Sequence, residues 1–367
     1  MFMALKVAIV GLPNVGKSTL FNAVTQTAAA QAANYPFCTI EPNVGEVAVP
    51  ESRLGVLARI AGAKEIIPAR ITFVDVAGLV RGAAVGEGLG NQFLANIRDC
   101  DAVALVARCF EDDDVSHVEG RVDPIADLDI IATELMLADL ESLERRLPAL
   151  EKRAKGGDKE SLAALRLANL ALVELNDGRP ARAAKVAEDD AKAWRMLQLL
   201  TTKPMLIVAN VDEASASAGN ALSVKVAERA AAEGAKAVVI SAKIESEIAV
   251  LEPEERTEFL EALGLHEAGL DRLIHEAYVL LGLQTYFTAG PKEARAWTVA
   301  VGVTAPEAAG VIHTDFEKGF IRAEVIAYED YVRLNGEAGA REAGRLRSEG
   351  RDYVVREGDV MHFRFNV

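Results

Sequence analysis

LKVAIVGLPNVGKSTLFNAV, Leu5 to Val24, decides the fold. Leu5 to Val10 is a short apolar run rich in β-branched side chains, the composition of a strand buried on both faces. GLPNVGKS, Gly11 to Ser18, follows without a break and leads into a helical stretch from Ser18 to Val24. Strand, glycine loop and helix in that order are the setting that a phosphate-binding P-loop requires. Gly11 and Gly16 let the backbone turn N–H groups toward phosphate oxygens at the positive end of the helix. Lys17 is then placed to bridge β- and γ-phosphates, and Ser18 to ligate Mg2+. The competing reading is a glycine turn in a doubly wound sheet with no ligand; the eight-residue pattern in its required setting favours the P-loop.

Two companions narrow the class. After a second apolar run containing Ile71, Phe73 and Val74 comes Asp75-Val76-Ala77-Gly78, a DxxG arrangement that puts a carboxylate near Mg2+ and a glycine N–H near the γ-phosphate. Between it and the P-loop lies YPFCTIEP, Tyr35 to Pro42, where Thr39 occupies the place of the switch threonine in translation-factor-type NTPases. Its hydroxyl would complete the magnesium shell while a γ-phosphate is present and release it after hydrolysis. The glycines of RGAAVGEGLG, Arg81 to Gly90, superficially invite a dinucleotide reading, but no strand precedes them. Hinges of a switch loop explain them more economically.

Base choice rests on later strands. Met205 to Val208 leads to Asn210-Val211-Asp212-Glu213, where GTPases carry NKxD. Glu213 stands one methylene longer at the aspartate position and Val211 at the lysine position, so paired readout of guanine N–H groups is compromised and an adenine-preferring or relaxed pocket follows. Asp212, next door, leaves a guanine reading open. The strand Ala237 to Ile240 ends in Ser241-Ala242-Lys243, a turn whose backbone lies beside the base in GTPase-like sites. Just after DxxG stands Leu79, which cannot hold an attacking water, so intrinsic hydrolysis is expected to be slow. Asn14 is placed either to coordinate K+ or to stabilise its own turn. His117, in the acidic loop CFEDDDVSHVEGRVDP, is either a catalytic group or a solvated loop histidine.

The 367 residues exceed what one core usually supports, roughly 250–300, so two or three domains are expected. With 40 Lys and Arg against 55 Asp and Glu, the net charge of −15 argues against a general polyanion binder. Sequence-specific DNA binding is not expected. Cys38, Cys100 and Cys109 match no metal-ligand spacing and suit a reducing compartment. With no cleavable leader pattern and no span of about 20 apolar residues, the expectation is a cytoplasmic protein without a membrane segment.

GLPNVGKS, YPFCTIEPN, DVAGLVRGA, the CFEDDD loop and NxxE in place of NKxD together make the chain resemble the Obg-like ATPase family, the YchF group of translation-factor-related P-loop NTPases. The resemblance extends over essentially the whole chain. It implies an ATPase, accepting GTP in some members, with phosphates on Asn14, Val15, Gly16, Lys17, Ser18 and Thr19 and magnesium on Ser18 and Thr39. Adenine would lie near Asn210 and Val211, and His117 would match the family's proposed catalytic histidine. Ribosomes or ribosomal subunits are the implied partners, in translation and stress responses.

The domain plan is a mostly parallel α/β P-loop domain over 1–283, interrupted by a helical insertion at 127–200, and a C-terminal domain over 284–367. Leu140, Leu143, Leu147 and Leu150 repeat at helical spacing, Pro148 is expected to kink or divide that helix, and a second apolar-periodic stretch runs from Leu162 to Leu175. A projecting helical hairpin is the simplest reading. Residues 145–200 hold 12 Lys and Arg against 8 Asp and Glu, a net of +4, with Lys152, Arg153, Lys155 and Lys159 around the tip. That tip suits RNA phosphates or an acidic protein, or serves only as a solvated face. Beyond 284, four short strands and a helix from Ala305 to His313 fit a β-grasp arrangement resembling the TGS domain. Its 11 basic and 13 acidic residues predict no bulk attraction to RNA.

Overall fold

The computed structural model describes residues 5–34, 43–76, 89–112 and 120–366. The run before the glycine loop is strand β1, Lys6–Val10, whose last four residues are buried. Further strands are β2 (Val44–Ala48), β3 (Glu65–Ile67), β4 (Arg70–Asp75), β5 (Ala102–Arg108), β6 (Met205–Asn210) and β7 (Lys236–Ile240). The first sheet has the order β2-β4-β1-β5-β6-β7, parallel throughout except that β2 runs antiparallel to β4. All seven residues of β5 are buried, as a strand covered on both faces demands. Helices α1 (Lys17–Asn34), α2 (Ser52–Ala61) and α3 (Leu89–Arg98) belong to this half of the chain.

A long helix follows β5. Asp123 accepts from Ala126 N at 3.2 Å, Pro124 takes the first turn, and α4 runs from Pro124 to Lys155. Pro148 does not divide it. Proline removes the bond to the carbonyl four residues back, here that of Glu144. Both residues are exposed, so that carbonyl stands on the wet side. The opposite side is held by packing: Leu143 is buried against Leu167, Ala168, Ala171 and Leu175 of α5 (Lys159–Asn176). At the base of the arm the buried Asp139 accepts from Leu200 N (2.7 Å), Thr201 N (2.8 Å) and Thr201 Oγ1 (2.7 Å), tying α4 to the chain re-entering the sheet.

The second sheet contains β8 (Leu283–Ala289), β9 (Glu293–Ala300), β10 (Phe320–Ala327), β11 (Arg347–Glu349) and β12 (Asp359–Phe365), with the helix Ala305–Ile312 across it. Its order is β11-β10-β12-β8-β9-β3, the β-grasp order extended by one strand. That extra strand comes from far upstream: β3 pairs in parallel with β9, Glu65 to Glu293 and Ile67 to Arg295.

A polar seam reinforces the junction. Arg53, at the start of α2, donates to Glu51 (Nε to Oε1, 2.8 Å) and to Glu357, and Glu357 also accepts from Thr285 N at 2.7 Å. The guanidinium lies 5.1 Å from the Phe287 ring centroid and 5.9 Å from that of Tyr328. Arg53→Ala removes the charge-assisted bonds to Glu51 and Glu357 and two cation–π contacts. Allowing for the half-exposed Glu357, it is expected to cost about 1–2 kcal/mol. Urea unfolding checks this; a loss below a few tenths would make the seam incidental.

Candidate nucleotide-binding site

The carboxyl ends of β1, β4, β6 and β7 converge on one side of the first sheet, where parallel α/β sheets place their ligands. Register brings them level: Ile9 pairs with Asp75, and Asn210 pairs with both Arg108 and Ile240. The loop from Gly11 to Gly16 leaves β1 with two left-handed positions, Asn14 at φ 63° and Gly16 at φ 94°. Asparagine tolerates that region and glycine is at home there. Leu20 N donates to Gly16 O at 2.9 Å, so the helical ladder starts at the loop itself. Ser18 and Thr19 stand exposed at the helix start, and Asn14 is exposed on the loop.

Lys17 is 6 % exposed and donates from Nζ to Leu12 O at 2.6 Å. Burial lowers its pKa from 10.5 to about 8, opposed by the Asp75 carboxylate. Burial likewise raises Asp75, opposed by Lys17. Asp75 Oδ1 is a buried carboxylate oxygen with no hydrogen-bond partner, which is uncommon in a folded interior. An unsatisfied hard oxygen beside a lysine and an exposed serine hydroxyl is a donor set that suits a small divalent cation with phosphate. The sequence nominated Ser18, Asp75 and Lys17 together. Thr39, Gly78 and His117, with Leu79, lie outside the described residues.

The lysine shift carries a pH prediction. Its folded pKa lies below its unfolded one, so the charged form opposes folding up to about pH 8, and stability returns as pH rises from about 8 toward 10.5. Relative to Lys17→Met, the wild-type chain is expected to gain up to about 3 kcal/mol across that window. Urea unfolding of both proteins at pH 7.5 and 10 measures it; parallel curves would show that Lys17 is not desolvated.

On the base side, Asn210 is 4 % exposed and joins two segments. Its Nδ2 donates to Val15 O and its Oδ1 accepts from Ala242 N, both at 2.9 Å. An amide nitrogen has two protons, so one donor remains. Val211 N donates to Ile240 O at 2.8 Å, and its side chain, 2 % exposed, packs in the main core. Its offering to a base is therefore backbone. Asp212 caps the turn Glu213–Ser215, accepting from Ser215 N at 2.9 Å. Glu213 pairs with Lys243 at 2.9 Å. Ser241 is buried, and its Oγ has no partner.

Three supporting residues escaped the sequence reading. Asn220 caps the helix Ala221–Ala232 and donates to Cys109 O at 2.7 Å. Arg108, 1 % exposed, donates to Phe110 O at 3.1 Å and Asp112 O at 3.3 Å, fixing the chain beyond β5. Lys243, in the first turn of the helix Ala242–Ile248, holds Glu213. An asparagine before an apolar-periodic stretch was a legible cap signal; a buried arginine at a strand end had none.

Two family models match the chain. One, described as 50S ribosome-binding GTPase, covers residues 6–134. The other, YchF-GTPase_C, described as a protein of unknown function (DUF933), covers residues 283–366. The chain is 58 % identical over 365 residues to the ribosome-binding ATPase YchF of Haemophilus influenzae. It is 54 % identical over 367 residues to that of Bacillus subtilis. In both cases 100 % of each chain is covered. The solved structure of the Schizosaccharomyces pombe YchF GTPase aligns with a TM-score of 0.86 at 36 % identity, covering 98 % of this chain and 97 % of that one.

Proposed function

The chain belongs to the YchF family, and we propose that it acts as a ribosome-associated P-loop switch that binds and slowly hydrolyses ATP, and GTP less well, in translation or stress regulation. The observation that carries this reading is the buried Lys17 under the electrostatic influence of Asp75, whose buried Oδ1 has no hydrogen-bond partner. Asn14, Val15, Gly16, Lys17, Ser18 and Thr19 hold the phosphates. Ser18 and Asp75, with Thr39, hold Mg2+, which supplies charge neutralisation when bound; K+ beside Asn14 is the monovalent activator in this reading.

For catalysis, Lys17 would hold the γ-phosphate, and the sequence nominates Gly78 as a backbone donor to it and His117 for the water-orienting role that Leu79 cannot fill. Adenine lies against Asn210, the Val211 backbone, Ser241 and Ala242. Glu213 borders them. Curated relatives bear the name ATPase, the Schizosaccharomyces pombe protein the name GTPase. The base segment of this chain, without the lysine and aspartate that read guanine, supports the first.

The same reading divides the chain into a nucleotide domain over 1–283, interrupted at 127–200, and a TGS-like domain over 284–367. Its arm tip offers Arg153 and Lys155, both exposed, to ribosomal phosphates. Among the described residues, no helix is long and apolar enough to cross a membrane, and a cytoplasmic location belongs to the proposal.

Sedimentation with ribosomes in the presence of a non-hydrolysable ATP analogue, ADP or no nucleotide tests the switch. Association is expected to differ between the analogue and ADP; identical pelleting with unstimulated hydrolysis would leave only a nucleotide-independent binding module. His117→Ala is expected to lower turnover at least tenfold while sparing affinity. Equal turnover would remove His117 from the mechanism.

A further inference from the structure

Both carboxylates of the base segment have partners inside the chain. Asp212 accepts from Ser215 N and, at 3.2 Å, from Ser215 Oγ. Glu213 Oε2 accepts from Lys243 Nζ at 2.9 Å. Lys243 stands in the first turn of the helix Ala242–Ile248 that follows β7, and that junction is fixed to the end of β6 by Asn210 and by the Val211 N–H. The ion pair therefore spans the two segments that flank the base. Resting on the adenine-preferring reading, we infer that Lys243 is a specificity-determining residue: by holding Glu213 outside the pocket, it withholds the carboxylate that would accept the two N–H groups of guanine.

Guanine presents N1–H and N2–H on its pairing edge; adenine presents an unprotonated N1 beside its amino group. A free carboxylate there attracts the first and repels the second. An aspartate is short, whereas the extra methylene of Glu213 lets its carboxylate meet Lys243. The ammonium is stabilised in its charged form first by the hydrogen bond it donates to Glu213, with Glu247 and Asp112 adding to the acidic surroundings. On the inner side, the buried Ser241 Oγ has no partner. The Glu213 and Lys243 side chains are 47 % and 66 % exposed, so the pair is screened by water. Its release should change selectivity by a factor of about three to five rather than by orders of magnitude.

Calorimetric titration of ADP and GDP into the wild-type chain, Lys243→Met and Lys243→Met/Glu213→Gln decides the matter. The expected result is a ratio of ADP to GDP affinity that falls about three- to fivefold in Lys243→Met, mostly through tighter GDP, and returns to the wild-type value in the double variant. A ratio unmoved by Lys243→Met, or a shift that Glu213→Gln does not reverse, overturns the inference. The wild-type ratio alone judges the adenine reading. If that ratio favours GDP, the reading falls, while a further shift toward GDP in Lys243→Met still supports the lock and no shift removes it.

Discussion

Lys17→Ala is expected to remove measurable nucleotide binding. The side chain is buried, its ammonium is held against Leu12 O, and the Asp75 carboxylate is the group that sustains its charge. In the nucleotide complex that charge faces phosphate oxygens in a site with little water, where removing one partner of a buried charge pair costs about 2–5 kcal/mol. That corresponds to a loss of about 30- to 5000-fold in affinity. A second effect accompanies it. Asp75, already raised by burial, loses its counter-charge and is expected to titrate higher still, so any residual nucleotide binding should decline further at acidic pH. Titration with ADP in the presence of magnesium measures the first effect, and affinity within threefold of wild type would place the phosphates elsewhere.

Gly16→Ala carries the second large effect, and for a steric reason. Gly16 has φ 94°, a conformation that an L side chain rarely adopts, and a Cβ there would lie 2.2 Å from Asn210 Nδ2. Asn210 cannot simply yield, because its amide is fixed to Val15 O on one side and Ala242 N on the other. Strain of about 1–3 kcal/mol and the loss of one or both bonds, about 1 kcal/mol each, would act on the P-loop and the base turn together. Stability should fall by about 2–5 kcal/mol and nucleotide affinity by at least tenfold. Gly62→Ala is the control: φ is 63° there too, but nothing lies within 4 Å of the added carbon. If both variants lose the same stability in urea, backbone strain alone is at work and the Asn210 bracket is not rigid.

The phosphate half of the site was legible because its signals are local. A β-branched run, two glycines, Lys17 and Ser18 fall within fourteen consecutive residues, and Asp75 ends a second apolar run that pairs beside the first. Four of the five C-terminal strands, β8, β9, β10 and β12, and their helix were legible for the same reason, while the three-residue β11 was not. Long-range features were not. β3 is three residues long, too short for an alternating pattern, and its partner β9 lies more than two hundred residues away. The Arg53–Glu357 seam has the same non-local character. Pro148 failed as a helix breaker because local propensity gave way to the leucine seam between α4 and α5, with the weakened turn on the wet side. On the base side, sequence showed which side chains replace NKxD but not what those side chains would bind. Asp212, the residue that leaves a guanine reading open, accepts from Ser215 N.

The central claim, an adenine-nucleotide switch built on Gly11 to Ser18, is tested most directly by calorimetric titration of the wild-type chain with ATP, GTP and their diphosphates in the presence of magnesium. Saturable binding of all four is expected, with the adenine nucleotide tighter in each pair and affinity reduced when magnesium is chelated. Tighter binding of GTP and GDP would contradict the adenine assignment, and an absence of binding by all four would contradict the site itself.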